Sequence, residues 1–188
     1  MNITGILLAA GSGSRFGGDK LMHPLADGTP IGVASARNLR RVLRRVIAVT
    51  RPDDAALAAR LQAERVDLVP CADAHLGMGA SLACGMRAAR DADAVIVALA
   101  DMPFITAATI ESIMRVLQAG AAIAAPSYQG QRGHPVGFSA QYRAELEAVS
   151  GDEGARALLK SQARRITLVE VADAGVLRDI DTRADAQP

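Results

Sequence analysis

Aromatic side chains are scarce in this chain of 188 residues: they make up 3% of it, and tryptophan is absent. That scarcity removes the ring platforms on which proteins stack single-stranded nucleic acid. An excess of one charge is missing too. Twenty-one Lys and Arg face 20 Asp and Glu, for a formal net charge of +1, without the basic surplus of a nucleic-acid-binding domain. The two cysteines, Cys71 and Cys84, form no C-x-x-C arrangement, which argues against a disulfide framework or a zinc ribbon and reads as a pair of buried, inert thiols. No apolar run reaches the length of a membrane span. Met1-Asn2-Ile3-Thr4 enters the first apolar segment without the basic start or cleavage site of a signal peptide. A cytoplasmic protein that works without nucleic acid or membrane is the expectation.

Half of the residues are hydrophobic and 22% are charged, a globular balance, and the length suits one domain over residues 1–188 with a core of its own. Short apolar runs alternate with longer helical patterns, which predicts an α/β fold with a mostly parallel sheet. Strands are expected at Ile3–Ala10, Val46–Thr50, Val66–Pro70, Ala94–Ala100, Ala121–Ala125, Pro135–Phe138 and Ile166–Val171, with Val176–Asp181 returning to the sheet. Pro135–Phe138 marks the departure from parallel order, and Pro126–Gly133 reads as a loop. Helices are expected from Thr29-Pro30 to about Arg45, from Pro52 to about Glu64, from about Ala80 to Arg90, from the cap Thr106 to Gly120, and over Ser139–Val149 and Asp152–Ser161. The arginines between Arg37 and Arg45 read as a solvated helix face.

Residues 7–21 carry the strongest signal. An apolar strand runs into Gly11-Ser12-Gly13-Ser14-Arg15-Phe16-Gly17-Gly18-Asp19-Lys20-Leu21, a loop whose small residues let backbone N–H groups approach an anion. Arg15 and Lys20 add the positive charge that a triphosphate needs. The spacing is not that of a P-loop, since Lys20 lacks the following Ser or Thr. It is not a dinucleotide fingerprint either, because Phe16 stands where glycine or alanine is required.

The stretch resembles the signature of the MobA-like nucleotidyltransferases, L-A-(A/G)-G-x-(S/G)-x-R-(M/F)-G-x-x-K-L. The resemblance implies a Rossmann-like three-layer α/β/α fold and a loop wrapped around a nucleotide triphosphate. Leu8, Ala9, Ala10, Gly11, Ser12, Gly13, Arg15 and Lys20 would then bind the nucleotide, with Arg15, Lys20 and Asp101 forming the catalytic set. Leu99-Ala100-Asp101-Met102-Pro103 resembles the family's L-(G/A)-D-M-P motif, whose aspartate binds magnesium. Asp179-Ile180-Asp181-Thr182 resembles D-I-D-T-P-E-D, which implies Asp181 as a second ligand of Mg²⁺. Here Arg183-Ala184-Asp185 replaces the family's Pro-Glu-Asp, and only the last aspartate matches.

Leu76–Leu82 resembles the segment beside the base, which brings in Gly79 and Ser81; Ser81 also fits the first turn of a helix. Gly133-His134-Pro135 resembles the family's G-H-P, which lies near the acceptor. A residue before proline is kept extended, and His134 is expected exposed. His23 and His75 have no assigned role. The match is nearest to the molybdenum cofactor cytidylyltransferases, which join CMP from CTP to the phosphate of molybdopterin for xanthine dehydrogenase-type enzymes. Ala10 favours CTP, because guanylyl-transferring relatives carry glycine there. A guanylyltransferase, a transferase acting on a sugar or alcohol phosphate, a cofactor carrier and a nicotinamide-dependent oxidoreductase remain alternatives.

Overall fold

The structure of the protein, a computed structural model, describes residues 1–11, 13 and 16–186. Its frame is an eight-stranded mixed sheet. The strands are β1 (Ile3–Leu8), β2 (Arg45–Thr50), β3 (Asp67–Pro70), β4 (Ala94–Leu99), β5 (Ile123–Tyr128), β6 (Gln131–Arg132), β7 (Val136–Ser139) and β8 (Ile166–Glu170). In space they run β3-β2-β1-β4-β7-β5-β6, with β8 paired to β5. β3, β2, β1 and β4 are parallel, and so are β5 and β8. β7 runs against both β4 and β5, so the expected break in parallel order falls there.

The period of two along each strand decides the layers. Ile3 and Leu7 of β1, Val46 and Ala48 of β2, and Ala94, Ile96 and Ala98 of β4 face one side. They meet Leu39 of α1 (Ile31–Arg40), Leu57 and Leu61 of α2 (Ala55–Ala63), and Ile110, Ile113 and Leu117 of α4 (Ala107–Gln118). Ile6, Ile47, Val49, Val95 and Val97 face the other side. There they meet Leu82 and Met86 of α3 (Met78–Ala88), Leu146 of α5 (Arg143–Glu147) and Leu159 of α6 (Arg156–Ser161). Both sheet faces are covered, which explains why the central strands read as unbroken apolar runs.

Several boundaries differ from the sequence reading for identifiable reasons. α1 stops at Arg40, whose guanidinium donates to the carbonyls of Leu43 and Arg44 beyond the helix end. Arg45 is drawn into β2 by Asp67 at 3.0 Å and Asp91 at 2.8 Å. α2 starts after Asp54, which accepts from the Leu57 N–H at 3.2 Å, and not at Pro52. Pro126 lies inside β5, its carbonyl accepting from Gly133 N–H at 2.9 Å. Val176–Asp181 does not rejoin the sheet; a 3-10 turn at Ala174–Leu177 leads into an irregular path. Cys71 and Cys84 are free thiols, and burial followed by the neighbouring Cys71 thiol raises the pKa of Cys84. No helix among the described residues is long and apolar enough to cross a membrane.

α3 approaches the sheet closely because Gly85 has no side chain: a Cβ there would lie 2.7 Å from Ile6 Cγ2 and 3.0 Å from Val49 Cγ2. Gly85→Ala is expected to destabilise the fold by roughly 1–2 kcal/mol, overpacking outweighing the gain in helix propensity. A urea midpoint at or above that of the wild type would contradict this.

Candidate active site

The strand order lays out a row of residues along one edge of the sheet. β3, β2, β1 and β4 end there and the antiparallel β7 begins there, so Cys71, Arg51, Ala9–Gly11, Asp101 and His134 follow one another in space. The carboxyl ends of the strands are where open α/β sheets bind ligands.

Asp101 is braced from several directions. The Ala100 N–H donates to Leu8 O at 3.1 Å, and the buried Ser35 hydroxyl of α1 donates to Ala100 O at 2.8 Å. The Asp101 carbonyl accepts from Ile180 N–H at 2.9 Å, and Pro103 O accepts from the Asn38 amide at 2.8 Å. Its carboxylate is not the cap of α4. That duty falls to Thr106, assisted by Asp173, whose Oδ2 accepts from Thr106 N–H at 2.9 Å and from the Thr109 hydroxyl at 2.6 Å.

Lys20 reaches the same place from the loop after β1. Gly13, Gly17 and Gly18 all have positive φ, and a Cβ on Gly13 would lie 3.2 Å from Lys20 Cβ. Phe16 anchors this loop: its ring is buried with Ile31, Ile180 and Ala186. Ser12 and Arg15, both assigned to the nucleotide from the sequence, lie outside the described residues.

Asp181 enters from the far end of the chain. Ile180 is fully buried beneath it. Asp185 Oδ2 ties the segment down, accepting from the N–H of Asp181 at 3.2 Å, the N–H of Thr182 at 2.7 Å and the Thr182 hydroxyl at 2.8 Å. The Thr182 hydroxyl and N–H hold the Asp185 carboxyl below its ordinary pKa. The aspartate that ends the family motif therefore closes the turn despite the missing Pro-Glu. At the centre, Lys20 Nζ lies 2.7 Å from Asp101 Oδ2 and 3.6 Å from Asp181 Oδ1.

Two carboxylates converging on one cationic point supply the oxygen donors that a small hard divalent ion prefers. Among the described residues no three His, Cys, Asp or Glu side chains group closely enough to hold such an ion by themselves. Its remaining ligands would be water and substrate phosphates, the usual arrangement for Mg²⁺.

Two adjoining cavities open at this edge of the sheet, and Asp101 lines the first. The first, about 650 Å³, is lined by Leu8, Ala10, Gly11, Arg51, Ser81 and Asp101 among others. The second, about 490 Å³, has a floor of Val97, Leu99, Val136 and Phe138, with Arg132, His134 and Arg156 on its wall. Leu8, Met78, Leu99 and Asp152 belong to both.

Three assigned residues sit differently from expectation. Ala9 turns its methyl into the core, and its N–H goes to Val49 O at 2.9 Å, because the chain is still pairing with β2. Gly79 faces away from the cavity: its N–H donates to Gly151 O at 2.7 Å, and a Cβ would lie 2.6 Å from Ser150 C. It admits the 150–154 turn, while Gly77, Met78 and Ser81 line the space. His134 is half-buried instead of exposed, because its N–H is drawn to Val176 O at 2.9 Å. Its Nδ1 is buried without a hydrogen-bond partner among the described residues. Arg51, His75 and Asp152 of the first cavity, and Arg132 and Arg156 of the second, were missed. Only Arg51 left a trace in the sequence, as the residue directly after a strand.

A mostly parallel sheet covered on both faces, with a glycine-turned loop, a lysine and two carboxylates at its carboxyl edge, defines a nucleotide-handling α/β enzyme. The model of the MobA-like NTP transferase domain matches residues 5–166, and the chain belongs to that family and is a nucleotidyltransferase. It is 32% identical to nicotine blue oxidoreductase of Paenarthrobacter nicotinovorans, over 96% of this chain and 92% of that one. It is 35% identical to the purine catabolism protein PucB of Bacillus subtilis (strain 168), with the same shares covered. Its fold matches Rv0371c from Mycobacterium tuberculosis H37Rv with a TM-score of 0.87 and 29% identity, over 98% and 95% of the two chains. The manganese complex of that protein matches with a TM-score of 0.83 and 27% identity, over 98% and 96%.

Burial, followed by the nearby Arg132 charge, lowers the His134 pKa below its ordinary 6.5. A depressed histidine contributes stability that is present above the unfolded value and is lost as pH falls towards the folded one. The stability advantage of wild type over His134→Gln is therefore expected to shrink as pH falls from about 7 to about 5. Parallel denaturation curves for the two proteins over that range would contradict it.

Proposed function

We propose that the chain transfers CMP from CTP to the terminal phosphate of a molybdopterin-type acceptor, releasing pyrophosphate. The meeting of Lys20, Asp101 and Asp181, with Asp101 lining the first cavity, carries the reading. CTP would occupy the first cavity, its phosphates along Gly11, Gly13, Lys20 and Arg15 and its base beside Ser81. The acceptor would occupy the second, with His134 and the arginines facing its polar atoms. Ala10 lines the first cavity, and its methyl would narrow that space against a purine.

A phosphate monoester with a second pKa near 6 is largely dianionic at pH 7. No general base is needed. An acceptor oxygen attacks the α-phosphorus of CTP, the bond from that phosphorus to the bridging oxygen breaks, and the bridging oxygen departs with pyrophosphate. Lys20, with Arg15, would stabilise the charge gathering on the departing group. Asp101 and Asp181 would hold Mg²⁺, which when bound neutralises phosphate charge; the manganese complex of the mycobacterial relative supports a divalent ion in this family. The name of the Bacillus relative agrees with a xanthine dehydrogenase-type enzyme as recipient of the product.

One observation favours a second reading, an oxidoreductase, of which the nicotinamide-dependent kind is the specific alternative: the name of the Paenarthrobacter relative, which specifies no cofactor. Against it, Phe16 occupies the third glycine position of the dinucleotide fingerprint, and its ring is committed to the core with Ile31 and Ile180. Measurable NAD(P)H binding would revive that reading.

Pyrophosphate release, measured with CTP and GTP in parallel, with and without molybdopterin, tests the proposal directly. Turnover that requires both CTP and molybdopterin is expected; acceptor-independent or GTP-preferring release contradicts it. Asp101→Asn should lower turnover by roughly 10²–10³-fold, the scale of losing one transition-state electrostatic partner. Near-normal turnover in that variant would remove Asp101 from the reaction. Lys20→Ala should weaken the enzyme most at limiting CTP, and unchanged kcat/KM would remove Lys20 from phosphate binding.

A further inference from the structure

We infer that Arg51 reads the base of the nucleotide, donating through its guanidinium to the two adjacent acceptors of cytosine, O2 and N3. The inference rests on the first cavity holding CTP as proposed above. Arg51 directly follows β2 and lines that cavity between the Ala10–Gly11 side and the His75–Gly77 side. The sheet order puts β2 on the opposite flank of β1 from β4, whose end carries Asp101. With the phosphates held at Lys20 and Asp101, the base end of the nucleotide points towards Arg51.

The guanidinium is oriented but incompletely used. Nη2 lies 3.7 Å from Asp54 Oδ2, and Nε lies 3.5 Å from Asp53 Oδ1. Asp54 is itself fixed as the cap of α2. Nε is buried and has no hydrogen-bond acceptor among the described residues. Two flanking carboxylates offset the charge that would make this side chain a phosphate clamp, while its planar fork keeps donors free. Such a fork pairs with two adjacent acceptors in one plane. Cytosine offers O2 and N3, both acceptors. Uracil offers O2 but turns an N–H donor at N3 towards the same fork. Arg51 would therefore separate CTP from UTP, a distinction that the Ala10 methyl cannot make because the two pyrimidines have the same size.

Calorimetric binding of CTP, UTP and inorganic tripolyphosphate, each with Mg²⁺, to wild type, Arg51→Gln and Arg51→Lys tests this, with melting temperatures recorded for all three proteins. The expected result is a loss of roughly 10- to 100-fold in CTP affinity for Arg51→Gln, the scale of one bidentate base contact. The preference for CTP over UTP should disappear, and tripolyphosphate binding should be unchanged. Arg51→Lys keeps the charge without the fork and should fail to restore CTP binding. Equal loss for CTP and tripolyphosphate, full rescue by lysine, or unchanged CTP affinity would overturn the inference alone. A wild-type protein that binds no nucleoside triphosphate would overturn the nucleotide reading as well.

Discussion

Lys20 Nζ stands 2.7 Å from one carboxylate and 3.6 Å from another, and the three residues come from widely separated parts of the chain. Two aspartates held this close repel unless a cation lies between them. The fold accordingly brings a cation and both anions to the same edge and locks each from behind. Phe16 pins the lysine loop, Ser35 and Ile180 pin the backbone at Asp101, and Asp185 pins the turn that carries Asp181. Ile180 serves two of these locks: its side chain packs on Phe16, and its N–H satisfies the Asp101 carbonyl. The glycine-turned loop and the pair of carboxylates are thus mechanically joined, although they lie far apart in sequence.

Much of this was legible in the residue order. Fully buried strands announce themselves as unbroken apolar runs, and β1, β2 and β4 fell within a residue or two of their expected ends. The α/β class with a mostly parallel sheet followed from their alternation with helices, and the three layers from the family resemblance. Lys20 and Asp101 could be picked out from motifs that follow strands, and Asp181 from the resemblance of its D-I-D-T segment to the family motif. What stayed hidden was of another kind. Arg51, Asp152 and Arg156 acquire neighbours only when strand order is known, and no local pattern reveals that β2 lies beside β1 while β7 lies beside β4.

The misplaced residues teach the same lesson from the other side. Gly79 enters with the segment that resembles the base-side stretch, yet the structure packs it against Ser150 and Gly151, more than seventy residues away. Ala9 sits inside a nucleotide-binding motif, but strand pairing claims its N–H first. The proline after His134 predicts an extended, exposed residue, yet the histidine sits at a bend, half-buried where its N–H meets the turn at Val176.

The wall that the two cavities share has its own consequence. Met78 and Asp152 face both, and Asp152 rides on the turn that packs against Gly77 and Gly79. A drift of that turn by even a fraction of an ångström enlarges one chamber at the expense of the other. Under the proposed function, with a nucleotide in one chamber and its acceptor in the other, a substitution at this wall would change the grip on both.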